Sequence, residues 1–318
     1  MDLFVPILNQ MIFLFAFIIF GFILTKGKFV PENSATVLSK IENIIFMPAL
    51  VMGTFIDKCT VENLKANAVL LLFSCLVLAV VILLSIWAGK ICYKEKYLQK
   101  IATYGFSFSN FGFMGYAIME AVFPDIFFEY TLFTLPFWFM IYLWGAPVLL
   151  IGSDTEKKGL KDRLKSFVNP MLIGMLIGML IGLIGVRLPK PVYAIIGDAG
   201  KCMSPIAMIL TGMTIARIDL VNMIKNWRNY LVSAFRLVIF PLIFIVVALL
   251  LPRNGFCSET ALWCSLCMVS MPMGLNTIVV PAGYGKDTKD AASLALITHT
   301  LSVVTIPCVF MIFKNLVL

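Results

Sequence analysis

The stretch VSMPMGLNTIVVPAGYG, Val269 to Gly285, is apolar enough to lie in a membrane and yet carries Pro272, Gly274, Asn276, Pro281 and Gly283. Inside a bilayer every backbone N–H and C=O must find a partner within the protein. Irregular backbone at that depth survives only where it is buried or lines a cavity. Pro272 has no N–H to donate, and its ring clashes with the carbonyl one turn earlier. Gly274 leaves helical geometry cheaply. The stretch therefore reads as a broken span whose freed backbone groups can act as ligands. The helix that restarts after the break presents a partly positive N-terminus, which suits an anion without a buried Lys or Arg.

The rest of the chain has the composition of a membrane protein. Of its 318 residues 61% are hydrophobic and 13% charged, against about 25% charged in a soluble domain; the mean hydropathy is +0.98. At about 20 apolar residues per span, the sequence predicts an all-α integral membrane protein. Ten transmembrane helices are expected, at approximately 3–25, 36–56, 67–92, 101–122, 126–151, 168–186, 192–215, 229–251, 260–283 and 290–313. The first lacks a basic leader and a small-residue cleavage site, so it reads as a span and not as a signal peptide. The longest polar segment, GSDTEKKGLKDRLKS from Gly152 to Ser166, is too short to fold alone. It reads as a loop with one amphipathic turn. The expected division is a first repeat over 1–152, a loop over 153–165 and a second repeat over 166–318.

Seventeen of the 25 Lys and Arg residues fall in the odd-numbered connections and seven on the opposite side, with Arg236 inside the eighth span. The positive-inside rule then places the odd loops in the cytoplasm and both termini outside a plasma or inner membrane. The net charge of +8 follows from this asymmetry and from the attraction of anionic lipid headgroups. It gives no argument for a nucleic-acid partner.

Five spans per half means that the second half is inserted upside down relative to the first. FMPALVMGTF (Phe46 to Phe55) in the second span is echoed by MSPIAMILTGMTIA (Met203 to Ala216) in the seventh. The fourth span, YGFSFSNFGFMGYAIMEAVF (Tyr104 to Phe123), corresponds to the ninth, and both combine Gly clusters with an Asn. Inverted repeats with interrupted paired spans point to the binding site of a secondary transporter. The candidate substrate-binding residues are Asn110, Gly112, Gly115, Pro272, Gly274 and Asn276.

FSNFGFMGYAI, SMPMGLNTIVVPAGYG, the Thr-rich ITHTLSVVTIP and FVNPMLIGMLIGMLIGL together resemble prokaryotic members of the auxin efflux carrier family. That family includes the plant PIN exporters and bacterial permeases for malonate or malate. The resemblance implies two inverted five-helix repeats with crossing, broken fourth and ninth helices. It implies a scaffold of helices 1, 2, 6 and 7 and a transport domain of helices 3–5 and 8–10, with Asn110 and Pro272 at the crossover. It also implies a small organic anion as substrate, a dicarboxylate such as malate or malonate first and an auxin-like monocarboxylate second. One departure is visible. The fourth span has no proline at its break, Pro124 lying beyond it, so Gly112 and Gly115 are expected to interrupt that helix.

Gly174, Gly178 and Gly182 form GxxxGxxxG in the sixth span, a spacing that lets helix backbones approach closely at a homodimer or scaffold seam. His299, the only histidine, lies mid-span and reads either as a proton or ion-coupling group or as a neutral ring bonded locally. Arg236 reads as snorkelling to the cytoplasmic surface. Cys264 and Cys267 form a CxxC within a span, without a second pair or a nearby His, and read as small buried hydrophobes. No metal, cofactor, phosphate loop or catalytic constellation is expected. An enzyme would need paired acids or a nucleophile with its base in the membrane, and a channel a continuous polar lining.

Overall fold

A computed structural model describes residues 4–151, 170–216, 226–252, 255–283 and 285–317. The polar segment from Gly152 to Ser166 lies outside the described residues. Among the described residues seven helices are long and apolar enough to cross a membrane. These are α1 (Phe4–Lys26), α2 (Ser34–Lys58), α3 (Ala68–Cys92), α6 (Pro124–Ile151), α8 (Lys190–Ile215), α9 (Trp227–Leu250) and α12 (Lys289–Val317). A shorter apolar helix, α7 (Pro170–Ile184), falls on the expected sixth span.

The remaining two expected spans are each divided. The fourth is α4 (Lys96–Ser107) followed by α5 (Phe111–Val122). The ninth is α10 (Glu259–Ser270) followed by α11 (Asn276–Gly283). Local chemistry sets several of these ends. The Ser258 hydroxyl accepts the Ala261 N–H at 3.2 Å to start α10, and the Asn226 side chain accepts from Arg228 at the start of α9, both side-chain caps.

The surface is inverted relative to a soluble protein. Leu250 is 80% and Ile184 71% exposed, while Asn110, Arg236, Thr298 and His299 are buried. Apolar surface facing outward and polar groups facing inward is the arrangement that hydrocarbon solvent selects.

Helices α1, α2, α7 and α8 pack on one another. A Cβ on Gly174 would come within 2.8 Å of the Pro48 carbonyl oxygen, and one on Gly178 within 2.5 Å of that of Met52. The glycine stripe is therefore a seam within the chain, between α7 and α2, and not a face left for a second copy. Because the obstacle is backbone, Gly178→Val should force the two helices apart. We expect little monodisperse protein on size exclusion, whereas Gly197→Ala, with nothing within 4 Å of its added carbon, should behave as the parent does.

Candidate functional site

The two breaks meet. At the end of α10, Pro272 cannot extend the helix, and the residue before a proline is driven to extended backbone; Met271 has φ −68° and ψ 150°. At the end of α4, Phe108 turns out of the helix with φ −124° and ψ 88°. Ser109 and Met273 then pair as an isolated antiparallel bridge. The Asn110 N–H donates to the Pro272 carbonyl at 2.8 Å, and the Ser109 hydroxyl donates to the Met268 carbonyl at 2.8 Å. Gly274 is required here, because a Cβ would lie 2.9 Å from the Phe108 oxygen and 3.2 Å from that of Ser109.

Two sequence expectations are corrected by this geometry. The fourth span is interrupted at Phe108 to Asn110, before the two glycines expected to break it. Gly112 and Gly115 belong instead to a wide turn, Phe111–Gly115, that opens α5. There the Trp138 ring stands 2.6 Å from where a Gly112 Cβ would be, and the Tyr130 hydroxyl blocks a side chain at Gly115. Part of the backbone expected to be freed around Pro272 is occupied, its carbonyl accepting from the Asn110 N–H.

Asn110 and His299, separated by 189 positions, are joined. The amide nitrogen of Asn110 lies 2.9 Å from His299 Nε2, and His299 Nδ1 lies 2.7 Å from the Ala295 carbonyl. A carbonyl can only accept, so Nδ1 carries the proton, and the Nε2 lone pair accepts from the amide. Both side chains are buried, Asn110 at 2% exposure and His299 at 0%. The preceding residue of α12 holds the other crossing strand: the Met273 N–H donates to the Thr298 hydroxyl at 3.3 Å.

A cavity of about 20 Å³ lies at the crossover, lined among others by Tyr104, Ser109, Asn110, Gly112, Gly274 and Asn276. That is room for about one water. Gly115 and Pro272 are not among its walls. The Asn276 amide donates to the Tyr104 hydroxyl at 3.2 Å. Both α5 and α11 begin at this cavity. In α11 the N–H groups of Thr277, Ile278 and Val279 are held by the Gly274 and Leu275 carbonyls, and in α5 those of Met114 and Gly115 by the Asn110 carbonyl. The positive end of each helix therefore faces the cavity chiefly as a dipole. On its far side His299 also borders an apolar cavity of about 210 Å³ between α1, α8 and α12, walled by Phe15, Ile18, Phe22 and Ile215.

Arg236 is the residue that sequence reading placed wrongly. It lies nine residues into α9, about 14 Å along the axis at 1.5 Å per residue, and is 1% exposed. Its guanidinium donates to three backbone carbonyls: Nε to Met271 at 2.7 Å, Nη1 to Phe106 at 2.8 Å and Nη2 to Met268 at 2.8 Å. It therefore turns into the crossover and does not snorkel. The wide turn Phe235–Ile239 carries it. Pro241, one turn on, has no N–H for the Leu237 carbonyl, so the helix loosens there. Cys264 and Cys267 are both buried free thiols in α10.

A family model described as a membrane transport protein matches the chain twice, over residues 6–162 and 146–310. No curated protein matches it.

Proposed function

The chain belongs to the auxin efflux carrier family of membrane transport proteins, and from that membership we propose that it is a secondary carrier of a small organic anion. In this reading the chain is two inverted five-helix repeats. The scaffold is α1, α2, α7 and α8, and the remaining helices move against it by alternating access, with the crossover as the binding site. The observation that carries the reading is the convergence at one cavity of two amides, Asn110 and Asn276, with the N-termini of α5 and α11. These donors hold a carboxylate through neutral N–H groups. The apolar gap between α1, α8 and α12 supports the moving seam, since a surface that slides is not interlocked.

A dicarboxylate such as malate or malonate is the first substrate reading. The aromatic wall of Phe108, Phe111, Phe113 and Trp138 favours the second, a flat monocarboxylate of the indole type. Counterflow in liposomes decides between them: labelled malonate uptake should saturate and be competed by malate, and competition by indole-3-acetate alone would reverse the order. Flux that rises in proportion to concentration would mean a channel instead.

Orientation is part of the proposal. Cysteines placed at Lys96 and Lys190, both exposed, should label from opposite sides, Lys96→Cys from the cytoplasm and Lys190→Cys from outside. Labelling of position 96 by an impermeant reagent added to intact cells would invert the topology.

The Asn110–His299 contact also supports proton coupling. A proton on His299 Nε2 would turn that nitrogen from acceptor to donor. The Asn110 amide would then rotate its oxygen toward the ring and release both N–H bonds toward the cavity, so that proton and anion bind together. Gln at 299 offers an acceptor to Asn110 but does not titrate. His299→Gln is expected to abolish accumulation driven by a pH gradient while counterflow continues; unchanged gradient dependence would leave His299 with a positioning role only.

A further inference from the structure

Four helix ends face one another at the crossover, and their charges do not cancel where a ligand would sit. The C-terminal ends of α4 and α10 each carry roughly half a negative charge, and the N-terminal ends of α5 and α11 each roughly half a positive one. Left alone, this set is balanced and would attract cations to the carbonyl ends as readily as anions to the N–H ends. Arg236 breaks the balance. The Phe106 carbonyl belongs to the last turn of α4, the Met268 carbonyl to the last turn of α10, and Met271 follows directly after it. All three are bound by the single guanidinium.

We infer that Arg236 is the fixed countercharge of the crossover, occupying the carbonyl ends of both broken helices so that their N–H ends are left with about one net positive charge for an anion.

Two further features fit this role. Among the described residues no carboxylate lies within ion-pair distance of Arg236, so its charge is answered by backbone dipoles alone. The residue type also matters. A guanidinium has five N–H donors in a planar fork and can bridge carbonyls from two separate segments, whereas an ammonium is a compact point charge. Because three carbonyls from two chain segments are tied to α9, the crossover and α9 move as one body. The positive charge travels with the site, and an anion meets the same field on either side of the membrane. A carrier built this way has its cation covalently attached, so anion affinity should be indifferent to replacing sodium with choline.

This inference rests on the crossover being the anion site, and its test separates the two. Binding of radiolabelled malonate and benzoate would be measured on the purified wild type, Arg236→Lys, Arg236→Met and Asn110→Ala, in sodium and in choline. Arg236→Lys keeps the charge and should lose less than about tenfold in affinity, whereas Arg236→Met should lose well over about tenfold. Neither should depend on sodium. A wild type that binds neither carboxylate, or an Asn110→Ala variant that binds as well as wild type, would remove the anion site itself. Loss in Asn110→Ala with none in Arg236→Met would overturn the countercharge alone, as would equal loss in the Lys and Met variants.

Should Arg236→Met fail to fold, Arg236→Ala provides a second arm. Guanidinium ion should restore its melting temperature and monodispersity, and neutral urea, of nearly the same shape, should not. Restoration by both, or by neither, would show that shape and packing matter there and charge does not.

Discussion

Replacing Asn110 with Ala is expected to weaken anion binding by about tenfold to a hundredfold, since a hydrogen bond to a charged group contributes about 1.5–3 kcal/mol. One N–H of the Asn110 amide is held by His299, and the other is the donor in question. The substitution also leaves the His299 lone pair buried without its partner, so part of the loss will come from a disordered ring. Asn110→Gln separates these contributions, because it keeps the amide but displaces it by one methylene. Asn110→Asp should be the most damaging of the three. It replaces the donor by an acceptor and introduces negative charge at the point an anion must reach, and saturable uptake is expected to disappear. The backbone should tolerate all three changes, because the bond that holds the crossing segments runs from the Asn110 main-chain N–H to Pro272 and survives each of them. Unaltered affinity in Asn110→Ala together with active Asn110→Asp would place the site elsewhere.

What was legible in the sequence follows from how local each cause is. The spans were readable because hydrocarbon imposes length and apolarity on every stretch separately. The break in the ninth span was readable because Pro272 acts on its own helix. The break in the fourth was not, because its cause is elsewhere in the chain. No residue of Phe106–Asn110 forbids a helix. Phe108 to Asn110 are held out of the helix by the Pro272 and Met268 carbonyls of the opposing segment, and the Arg236 fork takes the Phe106 carbonyl at the end of α4, none of them near in sequence. The local breakers the sequence offers there are Gly112 and Gly115, which serve instead to admit the Trp138 ring and the Tyr130 hydroxyl. Arg236 was misjudged for a related reason. Sequence position gives depth along α9 but not the face, and the wide turn at Phe235–Ile239 points the side chain inward. The pairing of Asn110 with His299 left no sequence signal beyond both being polar residues in apolar spans. Two such residues in one bundle have reason to meet, and that was the clue available.

Gly274 should prove less replaceable than the proline that first marks the stretch. A Cβ at Gly274 would stand 2.9 Å from the Phe108 oxygen and 3.2 Å from the Ser109 oxygen, and both are backbone atoms that no rotamer change can move. Val adds two further carbons at the same point. The crossing strands would have to separate, and the bridge between Ser109 and Met273 and the Asn110 bond to Pro272 would go with them. Overpacking in a tight core costs about 1–3 kcal/mol. The penalty falls where the site is assembled, so transport should be lost altogether in Gly274→Val. The seam of α1, α2, α7 and α8 does not involve this residue, and the protein should still insert and run as a single species. Pro272→Ala is expected to be much milder. The new residue keeps the carbonyl that accepts from Asn110, and helical closure of the segment is opposed by Arg236 holding the Met271 carbonyl. We therefore expect reduced but saturable uptake from Pro272→Ala and none from Gly274→Val, measured on the same reconstituted amounts. The reverse order would mean that the proline alone keeps the helix open and that the contact across the strands contributes little.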